Sequence, residues 1–268
     1  MIRRTGPGLL ALLVTSTANA EWQLNMPQGV TELSKETYDL HMMVFWVCVA
    51  IGVLVFGAMI ISLIKHRKSV GAVPAKFSHS MTAEVLWTAI PVIILMVMAI
   101  PAAKTMVRLE DSRDTDITIV ATGYQWKWHY NYRDQGVEFY SNLARSSLEA
   151  RLKGADVDPF DVDNYLLEVD RPVVVPVNAK VRILTTSNDV LHAWWVPELA
   201  IKKDAIPGIV NESWFRAEKI GTYRGQCAEL CGKDHGYMPI VVEVVEPEEF
   251  VAWVEANDGS AEKFALND

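Results

Sequence analysis

Only three cysteines and six histidines occur in 268 residues. No CxxCH run is present, which excludes a fused cytochrome segment with covalently attached haem. No nucleophile with an adjacent base and no paired-carboxylate system stands out in the C-terminal half, so bond-making chemistry has no evident machinery there. A positive balance is missing too. Asp plus Glu number 33 against 25 Lys plus Arg, for a net charge of −8, and that argues against a nucleic-acid partner.

Charge is also missing locally, and this absence carries the most structural information. From 41 to 64 and from 85 to 103 there is no Asp, Glu, Lys or Arg, giving uncharged runs of 24 and 19 residues. At about 1.5 Å per residue each matches the roughly 30 Å of a bilayer's hydrocarbon core. Two transmembrane helices are therefore expected, at about 41–64 and 85–107, in a hairpin occupying 21–108. Pro91 and Pro101 fall in the second, where neighbouring helices satisfy the freed carbonyls. The spans are rich in Met, which packs there as apolar filler, and the lone Cys48 reads the same way. Between them, IKHRKSVGAVPAKF carries Lys65, Arg67, Lys68 and Lys76 without an acid. The positive-inside rule puts that loop in the cytoplasm and both ends of the mature chain outside. The first 20 residues, MIRRTGPGLLALLVTSTANA, have two arginines, a short apolar stretch and an Ala-Asn-Ala ending. That is the anatomy of a signal peptide cleaved after Ala20. The chain is thus expected in the cytoplasmic membrane of a bacterium, with its C-terminal part in the periplasm.

Beyond Arg108 the composition changes. Residues 109–268 hold 28 acids and 16 bases, whereas the first 108 hold 5 and 9. An acidic exterior domain on a near-neutral anchor attracts basic proteins by electrostatic steering. Its length suits a single domain. Short runs rich in β-branched and aromatic residues recur: ITIVATGYQWKWHYNY from Ile117, then segments from Val173, Val181, Ser213, Gly221 and Pro239. Several alternate apolar with polar, which predicts a small all-β sandwich or barrel. Residues 141–163 break the pattern as an insertion, helical early and Asp-rich later. PEEFVAWVEAND, from Pro247, reads as a short amphipathic helix.

The chemistry concentrates in GQCAELCGKDHGYM, 225–238. Cys227, Cys231, His235 and Met238 are soft ligands, and an upstream His192 in VLHAWWVP supplies a second imidazole. A mononuclear electron-transfer copper takes one Cys, two His and a weak axial Met, so this set holds one Cys too many. Two Cys, two His, one Met and a backbone carbonyl suit two coppers sharing both sulfurs. Two other readings stay open for the same residues: a disulfide between Cys227 and Cys231, and a tetrahedral zinc on His192, Cys227, Cys231 and His235.

The pattern H…C-x-E-x-C-x-x-x-H-x-x-M resembles the copper A loop of cytochrome c oxidase subunit II. GYQWKWHY at 123–130, LLEVDRPVVVP at 166–176, IKKDAIPG at 201–208 and HGYMPIVVEVV at 235–245 are similar to other segments of that family, as is the two-helix N-terminal half. The resemblance implies a cupredoxin-like domain whose metal loop lies between the last two strands. It implies a binuclear copper centre on His192, Cys227, Glu229, Cys231, His235 and Met238, Glu229 serving through its carbonyl. The Glu229 carboxylate then helps bind a magnesium ion shared with the catalytic subunit I. It further implies electrons accepted from cytochrome c and passed to haem in that subunit, where oxygen is reduced and protons are pumped. Trp126 corresponds to the electron entry, with Trp128 expected on the same strand face. Glu84, at the cytoplasmic start of the second span, corresponds to the entrance of a proton pathway. Asp170, Asp189 and Glu138 are candidates for an acidic ring that meets cytochrome c lysines. Rival functions are a membrane-tethered copper chaperone and a zinc-stapled structural anchor. Nitrous oxide reductase carries a similar centre but needs more histidine than six residues provide.

Overall fold

The computed structural model describes residues 25–260 apart from 153 and 155. The expected signal peptide, 1–20, lies outside the described residues. Two long helices lead the fold: α1, Glu32–Lys65, and α2, Met81–Leu109. Their apolar side chains face outward, as at Leu54 and Leu63, which suits a lipid surroundings and not a protein core. Pro91 and Pro101 lie inside the continuous α2.

α1 begins nine residues before the uncharged run. Thr31 and Ser34 form a reciprocal cap, each side-chain oxygen accepting the other's backbone N–H at 2.9 Å, and such a cap starts a helix wherever it occurs. The extra turns carry Glu32, Lys35, Glu36 and Asp39 and stand clear of the hydrocarbon. They are stitched to the β domain. Val30 N–H donates to the Glu198 carbonyl at 3.0 Å, Glu218 N–H to the Val30 carbonyl at 2.9 Å, and Lys35 pairs with Glu218. Arg108, near the end of α2, meets Glu32 at 2.7 Å and also pairs with Glu36. The Trp214 indole donates to the Arg108 carbonyl at 3.0 Å.

Ten strands follow among the described residues: β1 Ile117–Tyr124, β2 Lys127–Tyr132, β3 Glu138–Ser141, β4 Val173–Pro176, β5 Val181–Ser187, β6 His192–Val196, β7 Ile201–Ala205, β8 Asn211–Phe215, β9 Gly221–Cys227 and β10 Pro239–Val245. They form two five-stranded sheets, ordered β3-β2-β1-β5-β8 and β4-β10-β9-β6-β7. Parallel pairs β1–β5 and β4–β10 sit among antiparallel neighbours. This is a cupredoxin-like sandwich. Trp128, Tyr130, Tyr132, Trp194 and Phe215 are fully buried between the sheets. Their polar ends are satisfied: Trp194 Nε1 donates to the Tyr130 hydroxyl at 3.1 Å, and the Tyr132 hydroxyl donates to the Val174 carbonyl at 2.8 Å. Burial pushes the Tyr130 and Tyr132 phenols well above their ordinary range.

The segment 141–163 supplies a short helix, α3, Arg145–Ala150, and a 3-10 turn at Pro159–Asp161. It is tied down by Leu166 N–H donating to Ser147 Oγ at 3.0 Å and Ala144 N–H to the Glu168 carbonyl at 2.9 Å. α4, Pro247–Ala256, closes one end with Phe250 and Val254 buried.

One sequence expectation needs correction. The aromatic run from Ile117 is not a single strand but the hairpin β1–β2, in register as Tyr124 against Lys127. Gln125 and Trp126 make the turn. Trp126 and Trp128 therefore share no strand face: Trp126 is half-buried at the turn, and Trp128 is in the core.

Candidate metal centre

One pole of the sandwich collects the start of β6, the end of β9, the start of β10 and the β1–β2 turn. β6 and β9 pair with Trp194 opposite Cys227, which sets His192 beside the Cys227 sulfur. The loop from Cys227 folds back through a 3-10 turn at His235–Tyr237 into β10. Ala228 N–H donates to the Ala193 carbonyl at 3.1 Å and fixes the loop's first residue to β6.

The ligand atoms of His192, Cys227 and Cys231 all lie within 4.8 Å of one another, and all three residues are buried. The two sulfurs are 3.9 Å apart, too far for the disulfide bond of about 2.05 Å, and both thiols are free. Cys227 Sγ is 3.9 Å from His192 Nδ1 and 3.3 Å from the Glu229 carbonyl oxygen. Cys231 Sγ is 3.5 Å from His235 Nδ1 and 3.6 Å from Met238 Sδ. Four further donors thus flank one sulfur pair. Each histidine has its own sulfur neighbour, His192 at Cys227 and His235 at Cys231. Met238 is buried and Glu229 is exposed, so the Glu229 carbonyl faces the Cys227 sulfur while the residue stands at the surface.

Electrostatics split the two thiols. Burial opposes ionisation of Cys227, but its contacts with His192 and the Ala193 backbone outweigh burial and hold this thiol below its ordinary value. Burial and then the neighbouring Cys227 push Cys231 up to about 12. For His192, burial lowers and the contacts with Cys227 and Asp189 raise, leaving the imidazole above its ordinary value.

The His192 ring occupies a space that only glycine leaves open. A Cβ added at Gly123 on β1 would stand 2.6 Å from His192 Cδ2. The ring's far edge is held by Asp189, whose Oδ1 is 2.9 Å from His192 Nε2. Asp189 is placed in turn by Gln125 N–H at 2.8 Å and Val190 N–H at 2.7 Å. Those contacts with His192, Gln125 and Val190 overcome burial and keep the carboxyl below its usual value. Sequence reading set Asp189 among the docking acids. Its place three residues before His192, in an Asn-Asp turn, is the signal that a second role was legible.

Trp126 reaches the centre from the hairpin turn. Its Nε1 donates to the Cys231 carbonyl at 3.1 Å, and the Gln125 side chain donates to the same oxygen at 2.8 Å. Trp128 lies beneath, with its indole edge-on to His192 at 6.0 Å between centroids. Of the other candidates, Asp170 binds Asn142, next to the Ser141 that pairs with Trp128, and so lies toward this pole. Glu138 pairs with Asn131 toward the opposite end of β2, so the three acids form no continuous ring. Glu84 is remote, in the first turn of α2 at the far end of the hairpin.

Two family models match the chain: cytochrome c oxidase subunit II, transmembrane domain, over residues 19–105, and the periplasmic domain of the same subunit over 117–245. The probable cytochrome c oxidase subunit 2 of Rickettsia bellii is 39% identical over 252 residues, covering 92% of this chain and 90% of that protein. Cytochrome c oxidase subunit 2 of Cereibacter sphaeroides is 33% identical over 275 residues, covering 94% and 90%. The crystal structure of the periplasmic domain of subunit II of cytochrome oxidase from Bradyrhizobium japonicum is 45% identical and covers 55% of this chain and 96% of that one, with a TM-score of 0.48.

Proposed function

The chain belongs to the cytochrome c oxidase subunit II family, and on that premise we propose that its paired sulfurs hold a binuclear copper centre relaying single electrons from cytochrome c to haem in the catalytic subunit. As a member it is a membrane-anchored subunit of a haem-copper terminal oxidase, an oxidoreductase, with an external domain.

The observation that carries it is the split donor set: two unbonded sulfurs 3.9 Å apart, with an imidazole and a weak donor at each end of the group. The donors fit copper by type. Thiolate, imidazole and thioether are the soft set that favours copper over magnesium, calcium or manganese. A single tetrahedral zinc needs all four Cys and His atoms converging on one point, whereas His235 stands outside the mutual cluster of His192, Cys227 and Cys231. Cys227, Cys231, His192, His235, Met238 and the Glu229 carbonyl would hold the copper, which would supply one-electron transfer and not bond-making.

The chain's own residues supply the rest. Burial of Cys227, Cys231, His192 and Met238 excludes water from the centre. Asp189 orients the His192 ring, the usual task of a carboxylate behind a metal-bound histidine. Trp126 bridges surface and centre through the Cys231 carbonyl and is the electron entry. Asp170 and the exterior domain's negative charge steer the basic donor protein, with Asp189 near the entry and Glu138 as a peripheral contributor. The exposed Glu229 carboxylate is available for a magnesium ion shared with subunit I. Glu84, on the cytoplasmic side defined by Lys65, Arg67, Lys68 and Lys76, is the entrance of a proton pathway into that subunit. The outward apolar faces of α1 and α2 meet lipid of the cytoplasmic membrane and neighbouring oxidase subunits, leaving the metal centre in the periplasm.

Metal analysis and electron paramagnetic resonance of the copper-loaded full-length chain in detergent test the reading. Two coppers per chain, a purple colour and one unpaired electron split by both nuclei are expected. One copper sends the function to metal delivery, and a colourless zinc protein to structural anchoring.

A further inference from the structure

Among the described residues of the segment 141–163, Arg151 reaches the metal loop. Arg151 directly follows α3, and its Nη2 donates to Asp234 Oδ1 at 2.9 Å. The same guanidinium lies over the Tyr237 ring, 3.9 Å from its centroid. Both charged side chains are about three-quarters buried, at 25% and 21% exposure, so this is not a solvated surface pair.

Asp234 and Tyr237 are the two ends of one turn. Tyr237 N–H donates to the Asp234 carbonyl at 2.9 Å, His235 is the first residue inside the turn, and Met238 is the first after it. We infer that Arg151 is a positioning residue for the metal loop, clamping the turn that presents His235 and Met238 to the sulfur pair. It grips the turn's start by charge and its end by stacking. α3 is rigid enough to serve as the anchor, since Ser147 and Ala150 are buried and Ser147 Oγ accepts the Leu166 N–H. The planar guanidinium does both tasks at once, which an ammonium cannot. The segment 141–163 is thereby an outer wall of the centre, 83 residues away in sequence from the residue it holds.

This inference rests on the copper reading of the site, so its test includes a readout that needs no metal. In the full-length chain, Arg151→Gln, Arg151→Lys and the control Arg145→Gln are compared. Arg145 pairs with Glu149 on the exposed side of the same helix. Copper transfer to a soluble copper chelator, the visible and paramagnetic resonance spectra, and the alkylation rate of Cys227 and Cys231 in chelator-stripped protein are measured. Residues behind metal ligands affect metal affinity about ten- to a hundredfold. Arg151→Gln is expected to release copper at least about tenfold faster with altered hyperfine splitting, and to speed thiol alkylation in the stripped chain. Arg151→Lys should recover part of both, and Arg145→Gln should match the parent. If Arg151→Gln keeps the parent's spectrum, release rate and alkylation rate, the inference is overturned. If the parent binds no copper yet its thiols respond to Arg151→Gln, the copper reading falls while Arg151 stands as the anchor of this loop.

Discussion

Asp189 and His192 are joined by a 2.9 Å contact between Oδ1 and Nε2, and this contact leaves Nδ1 of the ring facing the Cys227 sulfur. The carboxylate sets which nitrogen would meet a metal at the proposed centre, because an imidazole bonded through Nε2 has only Nδ1 left as a lone-pair donor. Asp189→Ala removes that orientation and leaves a buried ring with a free edge. A weakening of copper binding by about ten- to a hundredfold is expected, measured by competition with a chelator of known affinity. Asp189→Asn, which keeps an oxygen at the same place, should lose less. Equal affinity in all three proteins would remove Asp189 from the centre.

The seat of the same ring yields a second prediction. At Gly123 a methyl group would meet His192 Cδ2 at 2.6 Å and Cγ at 2.8 Å, and Trp128, the cross-strand partner of Gly123, already packs edge-on against the ring at 6.0 Å. Gly123→Ala must therefore displace the imidazole. Overpacking of this kind costs about 1–3 kcal/mol, and here it also moves a ligand. The expected outcome is a lower melting temperature together with copper stoichiometry falling from two toward one. Full stoichiometry with an unchanged spectrum would show that the ring tolerates the shift.

How much of this was legible in the sequence follows from how local each feature is. The metal loop is one contiguous motif, so spacing brought Cys227, Cys231, His235 and Met238 together, while the part of Glu229 came only from the resemblance. The spans were legible as uncharged runs, but the start of α1 was not, because the Thr31–Ser34 cap and the contacts with Glu198 and Glu218 extend the helix into water. The hairpin at Gln125–Trp126 was missed since no Asn-Gly or Asp-Gly pair marks the turn and the aromatic alternation runs through it. Short strands such as β3 and β7 owe their place to partners in the sheet. The Arg151–Asp234 pair spans 83 residues, and no periodicity reports a contact at that range.

A pH dependence follows from Glu243 on β10. Burial, then the Glu168 and Glu249 carboxylates, raise its acid above the ordinary 4.5, with Arg224 opposing. The folded state thus binds this proton more tightly than the unfolded chain does. Its ionisation costs stability in full above the folded value, and the cost vanishes as pH falls below the unfolded one. Glu243 is partly exposed, so the effect is small. Glu243→Gln should raise stability at pH 7 by at most about 0.5 kcal/mol, and the gain should close near pH 4. Paired thermal melts of the full-length chain at the two pH values measure it. A gain that grows on acidification would reverse the sign.

The two tryptophans of the hairpin separate transfer from packing. Trp126 is half-buried with its Nε1 on the Cys231 carbonyl, while Trp128 is fully buried with its Nε1 3.4 Å from the Met238 carbonyl. Trp126→Phe keeps a ring at the surface but removes the hydrogen bond that links it to a ligand residue. Reduction of the centre by cytochrome c, followed by stopped-flow absorption, should slow by about tenfold or more, equal to at least about 1.4 kcal/mol of barrier, with the melting temperature little changed. Trp128→Phe empties core volume and should instead cost roughly 1–3 kcal/mol of stability. Its reduction rate per intact centre should stay closer to that of the parent. Because the two residues differ in burial and not in type, an equal slowing in both variants would mean that the transfer route does not pass through the turn. In that case the Cys231 carbonyl contact serves only to hold the loop, and the entry point lies elsewhere on the same pole.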